Sequence, residues 1–348
     1  MTAPNVIRRV FDKRITIALG IGFAAGIALA VLYFHIVEPQ MQQVKVVRES
    51  DIASSTAYMF TDPLIGVTSG NTTSPAYASL RTRINSYIAS EATAGLDSAS
   101  VNFRDIDASQ GFTINPAETY DPASLTKIPL AMAYYDLAEE NSSVLSDQIF
   151  YSGDPDLDAD EQIRSVVQLV PGESYTVEEM IEHMIRYSDN NAEQLLADHL
   201  VSLGQLEVLN KLFADLGIKT NASDPDYATA GSYSVFLRVL YNSTYLDREY
   251  SERLLQLMSQ TDFTQGIESG IPNGVLVAQK FGDAKIPDAA GNVAGAELQN
   301  CGIVYYPDHP YILCIMTKGR SIDELERVLA SISRIVFEDT QQRYPSQT

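Results

Sequence analysis

The sequence predicts an α/β domain built on one antiparallel sheet, assembled from both ends of the chain around a helical insertion. Three observations carry that expectation. One helix and two strands come first. A long block of helical spacing follows. Three strands and a helix close the chain. Strands at both ends of a domain are joined most economically in a single sheet, with the outer helices covering it.

Residues 77–91 have helical spacing, with Leu80, Ile84 and Ile88 on one face. Residues 99–105 alternate, Val101, Phe103 and Asp105 against Asn102 and Arg104, and 111–115 read as a second strand after an SQG turn at 109–111. From Pro122 to about Gly270 the pattern is mostly helical. Thr176 and Glu179 form a capping box before Val177, Met180, Ile181 and Met184. Asn190 with Glu193 is expected to cap the next helix, which carries Leu195, Leu196, His199, Leu200 and Leu203. Strands return at 275–282, 300–306 and 311–317. The last helix, 322–337, places Leu325, Leu329, Ile332 and Val336 on one side. The domain so outlined spans 76–340, with a short tail at 341–348.

The 348 residues carry 24 Lys+Arg against 45 Asp+Glu, a formal net charge of −21. Apolar residues make up 45% and charged residues 20%, a globular composition rather than a disordered one. So few basic residues argue against a duplex-binding surface, and no nucleic-acid partner is expected. The charge is uneven. Residues 1–14 hold Arg8, Arg9, Lys13 and Arg14 against Asp12, a net of +3, which leaves −24 for the rest.

Between these parts, residues 15–37 have no charged side chain, and only His35 is ionisable. That length is enough for a helix to cross a hydrocarbon core of about 30 Å. A buried core helix rarely runs so far without a polar face. A cleaved signal peptide is the stronger rival, but the run is long for one and no A-x-A-like site follows before Glu38. The expectation is a transmembrane signal-anchor helix with a cytoplasmic tip at 1–14 and everything after Glu38 outside the cytoplasm. Gly22 and Gly26 form a G-x-x-x-G pair that could bring two such helices together as a weak homodimer, although the pattern often arises by chance in Ala/Gly-rich spans. Residues 38–75 read as a stalk or linker with a local extended segment.

Ser124-Leu-Thr-Lys127 opens a helix, and its Ser and Lys lie on one helical face. A serine is a poor nucleophile without a base. A lysine partly removed from water and near positive potential can be that base. The Ser124 backbone N–H would face any oxyanion formed there. Taken alone, S-x-x-K is a common accident. Ser188-Asp-Asn190 follows between two helices and would otherwise read as a helix end and a cap. Lys280-Phe-Gly282 ends a predicted strand and alone means nothing.

The three in this order resemble the S-x-x-K, S-D-N and K-T-G set of the penicillin-recognising serine enzymes. The flanking stretches DPASLTKIPLAMAYY, MIRYSDNNAEQLL, TDFTQGIESGIPNGVLVAQKFGDA and GIVYYPDHPYILCIMTKG are similar to those of class A β-lactamases. The resemblance covers roughly 75–338. It implies the β-lactamase/transpeptidase-like fold: a five-stranded antiparallel sheet flanked by helices, with an all-α subdomain. It implies Ser124 as the acylated nucleophile, Lys127 as its base and Ser188 as the proton relay to the leaving nitrogen. The N–H groups of Ser124 and Asp283 would form the oxyanion hole. Asn190 would hold the substrate's acyl amide, and Lys280, with Phe281 and Gly282 beside it, the substrate carboxylate. The implied partner is a β-lactam or a D-Ala-type peptidoglycan stem peptide, in a bacterium, with no cofactor.

Two departures stand out. Phe281 occupies a position where the family usually has Thr or Ser, and it would narrow the site if it pointed inward. The stretch between Leu216 and Leu237 lacks the family's omega-loop glutamate, leaving only Asp224 and Asp226 there. Slow release of the acyl group is therefore expected. The alternative is a non-catalytic envelope binding protein on the same fold.

No His sits at metal-ligand spacing, and no metal is expected. The acidic run Asp154–Glu161 reads as a solvated outward loop, lacking the glycine and distal glutamate of an EF-hand. Cys301 and Cys314 are centred on the turn at Pro307–Asp308, so a symmetric hairpin would place them opposite each other. Both a disulfide and two buried thiols fit, with thiols favoured. The sequons at Asn71, Asn141, Asn221 and Asn242 matter only in a eukaryotic secretory route.

Overall fold

The computed structural model describes residues 58–62, 73–159, 161–220 and 225–345. The apolar run at 15–37 and its basic tip lie outside them. Among the described residues no helix is long and apolar enough to cross a membrane.

The chain begins with helix α1 (Ala78–Glu91) and the hairpin of β1 (Leu96–Asp105) and β2 (Gln110–Ile114). A 3₁₀ turn, Ala123–Thr126, leads into α2 (Lys127–Glu140). A small hairpin of β3 (Gln148–Phe150) and β4 (Ser174–Thr176) follows, its strands joined by a long loop. Helices α3 (Val177–Arg186), α4 (Asn190–Ser202), α5 (Leu206–Asp215), α6 (Ala230–Tyr241) and α7 (Arg248–Met258) make the insertion. The chain then forms β5 (Val277–Pro287), β6 (Val293–Val304), β7 (Tyr311–Gly319) and α8 (Ile322–Arg343). The main sheet has the order β2-β1-β7-β6-β5, every neighbour antiparallel. The first and last parts of the sequence thus meet at β1·β7, as expected.

The sheet has a core on each face, because side chains alternate along each strand. Val101, Phe103, Leu298, Leu313 and Ile315 pack with Leu80 and Ile84 of α1 and Leu325, Leu329, Ile332 and Val336 of α8. Ala278, Ile303, Ile312 and Met316 face the helical insertion, joining Leu125, Ile128, Met180, Ile181 and Leu196. The predicted apolar stripes of the outer helices are the ones buried. The capping box at α3 is also present, with the Thr176 and Glu179 side chains each accepting from the other's backbone N–H.

Three differences from expectation have clear causes. Strands β5 and β6 run well beyond the predicted 282 and start before 300, around a turn closed by Asp288 accepting from the Ala290 and Asn292 N–H groups. Most residues there are small or polar, and the few apolar ones, Ile286, Val293 and Leu298, are too scattered to show a period. The β3–β4 hairpin is three residues per strand, too short for a period to show. Cys301 and Cys314 are directly paired across β6 and β7 and joined as a disulfide, where two thiols were favoured. Their opposed positions follow from the hairpin's symmetry about 307–308, whereas oxidation state leaves no mark in a sequence.

Part of the predicted linker is docked on the domain. Phe60 is buried, and the Met59 and Phe60 N–H groups donate to the Glu252 carboxylate. Arg248 donates to Thr61 and lies over the Tyr58 ring.

Candidate active site

Ser124 sits in the 3₁₀ turn one step before α2, so Lys127 is the first residue of the helix proper. The i, i+3 spacing brings the Lys127 Nζ to 2.6 Å from the Ser124 Oγ. Lys127 is completely buried. Its Nζ also lies 2.9 Å from the Ser188 carbonyl and 3.4 Å from the Glu193 Oε2, and it donates to the Asn190 Oδ1. The Ser188 Oγ lies 3.5 Å away as well, so an ammonium with three protons meets five oxygens here. At least two of these contacts are therefore electrostatic only.

Two non-glycine residues at the centre have left-handed backbones, Ala123 at φ 45° and Ser188 at φ 57°. Such conformations cost free energy and persist where surrounding structure imposes them. Here one precedes the Ser124 turn and the other turns the α3–α4 connection so that its carbonyl meets Lys127 and its Oγ meets Lys280.

Lys280 enters from edge strand β5. It is fully buried, and its Nζ donates to the Ser188 Oγ at 2.8 Å. Burial and then the like charge of Lys127 hold its pKa well below the usual lysine value. β5 is paired only with β6, so its other edge is left toward the Ser124 turn. Gly282 makes that approach feasible. A Cβ there would meet the Pro122 carbonyl oxygen at 2.6 Å and the Ser124 nitrogen at 2.9 Å. The predicted motifs are thus brought together: Ser124, Lys127, Ser188, Asn190, Lys280 and Gly282 form one constellation.

Phe281 stands apart from it. Its ring is buried on the α8 side and stacked on Phe263 at 4.2 Å between centroids. Alternation along β5 sends it away from the Lys280 face, so it does not narrow the site. It still reaches the chemistry indirectly, because the Lys280 ammonium lies 4.4 Å over its ring.

Asp283 follows on β5. Burial and then the nearby Glu161 push its carboxyl up to about 6, and it accepts from the Gln162 Nε2 at 3.2 Å. Glu161 itself accepts from the Asn190 Nδ2 at 2.8 Å. Both contacts come from the long β3–β4 loop, which corrects the reading of the acidic run as a solvated outward loop. Asp158 is buried, and its two oxygens accept from the Asn190 N–H and the Asn191 Nδ2. The open N–H groups and positive end of α4 draw these carboxylates inward. Asp154 and Asp156 remain exposed.

Sequence reasoning also misassigned Glu193. The residue whose side chain caps α4 is Asp189, accepting from the Ala192 N–H. The cap lies one residue earlier than expected. This frees Asn190 for Lys127 and turns Glu193, three residues on along the same face, toward Lys127 and the Thr126 hydroxyl, 2.7 Å away. In the segment where a glutamate is missing, Asp226 is ion-paired with Lys318, and Asp224 lies outside the described residues.

Residues 79–340, more than half of the chain, match the β-lactamase enzyme family. The chain belongs to that family. Among solved structures it is similar in fold to PBP-A, with 21% identity and a TM-score of 0.62 over 76% of this chain and 97% of that one. A β-lactamase from Sphaerobacter thermophilus gives 20% and 0.61 over 76% and 98%. The TLA-3 extended-spectrum β-lactamase gives 19% and 0.63 over 75% and 98%. No curated protein matches the chain.

Three carboxyls near the site, Asp158 and Glu297 buried and Asp283 partly so, carry a testable pH dependence. Burial raises Asp158 and Asp283 to about 6 from 3.8, and Glu297 to about 7 from 4.5 despite its Lys318 neighbour. A raised acid is bound more favourably by the folded state as the neutral group. Its contribution is full below the unfolded value and is lost as pH rises through the folded one. The melting temperature is therefore expected to fall between about pH 4 and about pH 7, the span from the unfolded to the folded values, and Glu297→Gln should flatten the upper part of that slope. A melting temperature that rises across this range contradicts the assignment.

Proposed function

We propose that the protein is a membrane-anchored, extracytoplasmic serine hydrolase that forms an acyl-enzyme at Ser124 with β-lactams or D-Ala-type cell-wall peptides. The observation that carries this reading is the Ser124–Lys127 contact of 2.6 Å, with Lys127 fully buried and Ser188 joined to both lysines. A PBP-A mutant of the same fold is known as an acyl-enzyme complex with penicillin G.

Ser124 Oγ adds to the substrate carbonyl carbon as its proton passes to Lys127. Backbone N–H groups of Ser124 and Asp283 hold the oxyanion. The C–N bond then breaks as the Ser188 hydroxyl gives its proton to the leaving nitrogen, and Lys127 returns to the Ser188 Oγ, 3.5 Å away, the proton it took from Ser124. Lys280 restrains Ser188 and attracts the substrate carboxylate. The substrate's acyl amide takes the place of Glu161 on Asn190, so binding requires that contact to open. The anchor is the apolar run at 15–37, with its basic N-terminal side in the cytoplasm.

Incubating the full chain with a fluorescent penicillin tests this reading. A covalent label that disappears in Ser124→Ala is the expected result. A folded protein that takes no label, or a label that survives Ser124→Ala, contradicts it.

A further inference from the structure

We propose that Glu193 is the general base that hydrolyses the Ser124 ester, filling from helix α4 the role left open by the missing glutamate between Leu216 and Leu237. The inference rests on the acyl-enzyme reading and adds a residue to it.

Three observations converge on this side chain. First, it is placed. Glu193 Oε2 is 3.4 Å from the Lys127 Nζ, which is 2.6 Å from the Ser124 Oγ, so a single amine separates the carboxylate from the nucleophile. The Thr126 hydroxyl lies 2.7 Å from both Oε1 and the Ala123 carbonyl and shares its one proton between them. Second, it can reach water. The Lys127 side chain is fully buried, whereas that of Glu193 is 27% exposed. Third, four other described carboxylates nearby have partners of their own. Asp283 accepts from the Gln162 Nε2. Asp226 is paired with Lys318. Asp158 is held by the Asn190 and Asn191 amides. Glu161 occupies the Asn190 Nδ2 that the substrate amide must take.

The step balances without any further reagent. A water beside Glu193 gives one proton to the carboxylate as its oxygen adds to the ester carbonyl carbon. The oxyanion collapses and the bond from that carbon to Ser124 Oγ breaks. The proton passes from Glu193 through Lys127 to Oγ. The products are the free serine and a carboxylic acid. Lys127 serves acylation directly and hydrolysis as the conduit, which explains why one amine faces both Ser124 and Glu193.

The test compares wild type, Glu193→Gln and Glu193→Asp as full-length chains, using fluorescent penicillin for acylation and loss of label after a chase for hydrolysis. Gln keeps the shape and the acceptor for Thr126 but cannot take a proton. Label release is expected to slow by about 10²–10⁴-fold in Glu193→Gln while labelling stays within about tenfold of wild type. Glu193→Asp should recover part of the release rate. Loss of release with labelling retained is a split that a purely structural role would not produce. Unchanged release in Glu193→Gln overturns the proposal. So does a parallel loss of labelling and release, which would make Glu193 a positioning residue for Lys127. So does trapping of the adduct by Glu161→Gln but not by Glu193→Gln. If wild type takes no label, the acyl-enzyme reading itself fails and this inference with it.

Discussion

Replacing Lys127 with methionine is expected to slow acylation of Ser124 by about 10²–10⁴-fold, the usual range for a lost general base. Methionine fills a similar volume but carries no amine. Ser124 would lose its partner at 2.6 Å and keep a hydroxyl too weakly acidic to attack on its own. The substitution also leaves the Ser188 carbonyl and the Asn190 Oδ1 without their donor. Unpaired buried acceptors cost about 1–3 kcal/mol, so a lower melting temperature should accompany the kinetic loss. The time course of penicillin labelling measures the first effect and thermal unfolding the second. Labelling at the wild-type rate would show that Lys127 is not the base.

Gly282→Ala should have an effect of similar size by a different route. The added methyl carbon would lie 2.6 Å from the Pro122 carbonyl oxygen, 2.9 Å from the Ser124 nitrogen and 3.1 Å from the Leu125 nitrogen. All three are backbone atoms, so no side chain can rotate away. Strand β5 must move off the Ser124 turn, taking the Asp283 N–H and the Lys280 amine with it. A displacement near 1 Å at a reacting centre costs about 10²-fold in rate. Overpacking of this kind costs about 1–3 kcal/mol in stability. The variant should label slowly and melt early, although position 282 carries no side chain to lose. Normal labelling would mean that the close approach of β5 to the turn is not needed for acylation.

Most of the architecture was legible because it rests on period and order. The stripes Leu80–Ile84 and Leu325–Ile332 bury as their spacing requires, and β1 meets β7 because each keeps one free edge after pairing with β2 and β6 respectively. The site centre was legible for a different reason: the three motifs in order, with their flanks, resemble those of the penicillin-recognising serine enzymes. Helix spacing alone pointed only to Ser124 beside Lys127. What could not be read depended on one-residue choices or on tertiary contacts. Asp189 rather than Asn190 supplies the cap, a shift of one residue that turns Glu193 from a helix-end feature into a group beside Lys127. Asp158 and Glu161 looked like part of a solvated run because their partners, the α4 N-terminus and Asn190, are about thirty positions away in sequence. The direction of Phe281 was open in the sequence, and the strand places its ring against Phe263.

The same residues show why the missing omega-loop glutamate need not leave the site without a carboxylate. Position along the chain matters less than position around the amine. Glu193 comes from a helix that also carries Asn190, and both touch Lys127.

The central claim is that Ser124 is the residue acylated. Mass mapping of the peptides from the penicillin-treated full-length protein tests it most directly. A penicilloyl adduct located on Ser124 is the predicted result. An adduct on another residue, or none on a folded and penicillin-saturated protein, would contradict the account.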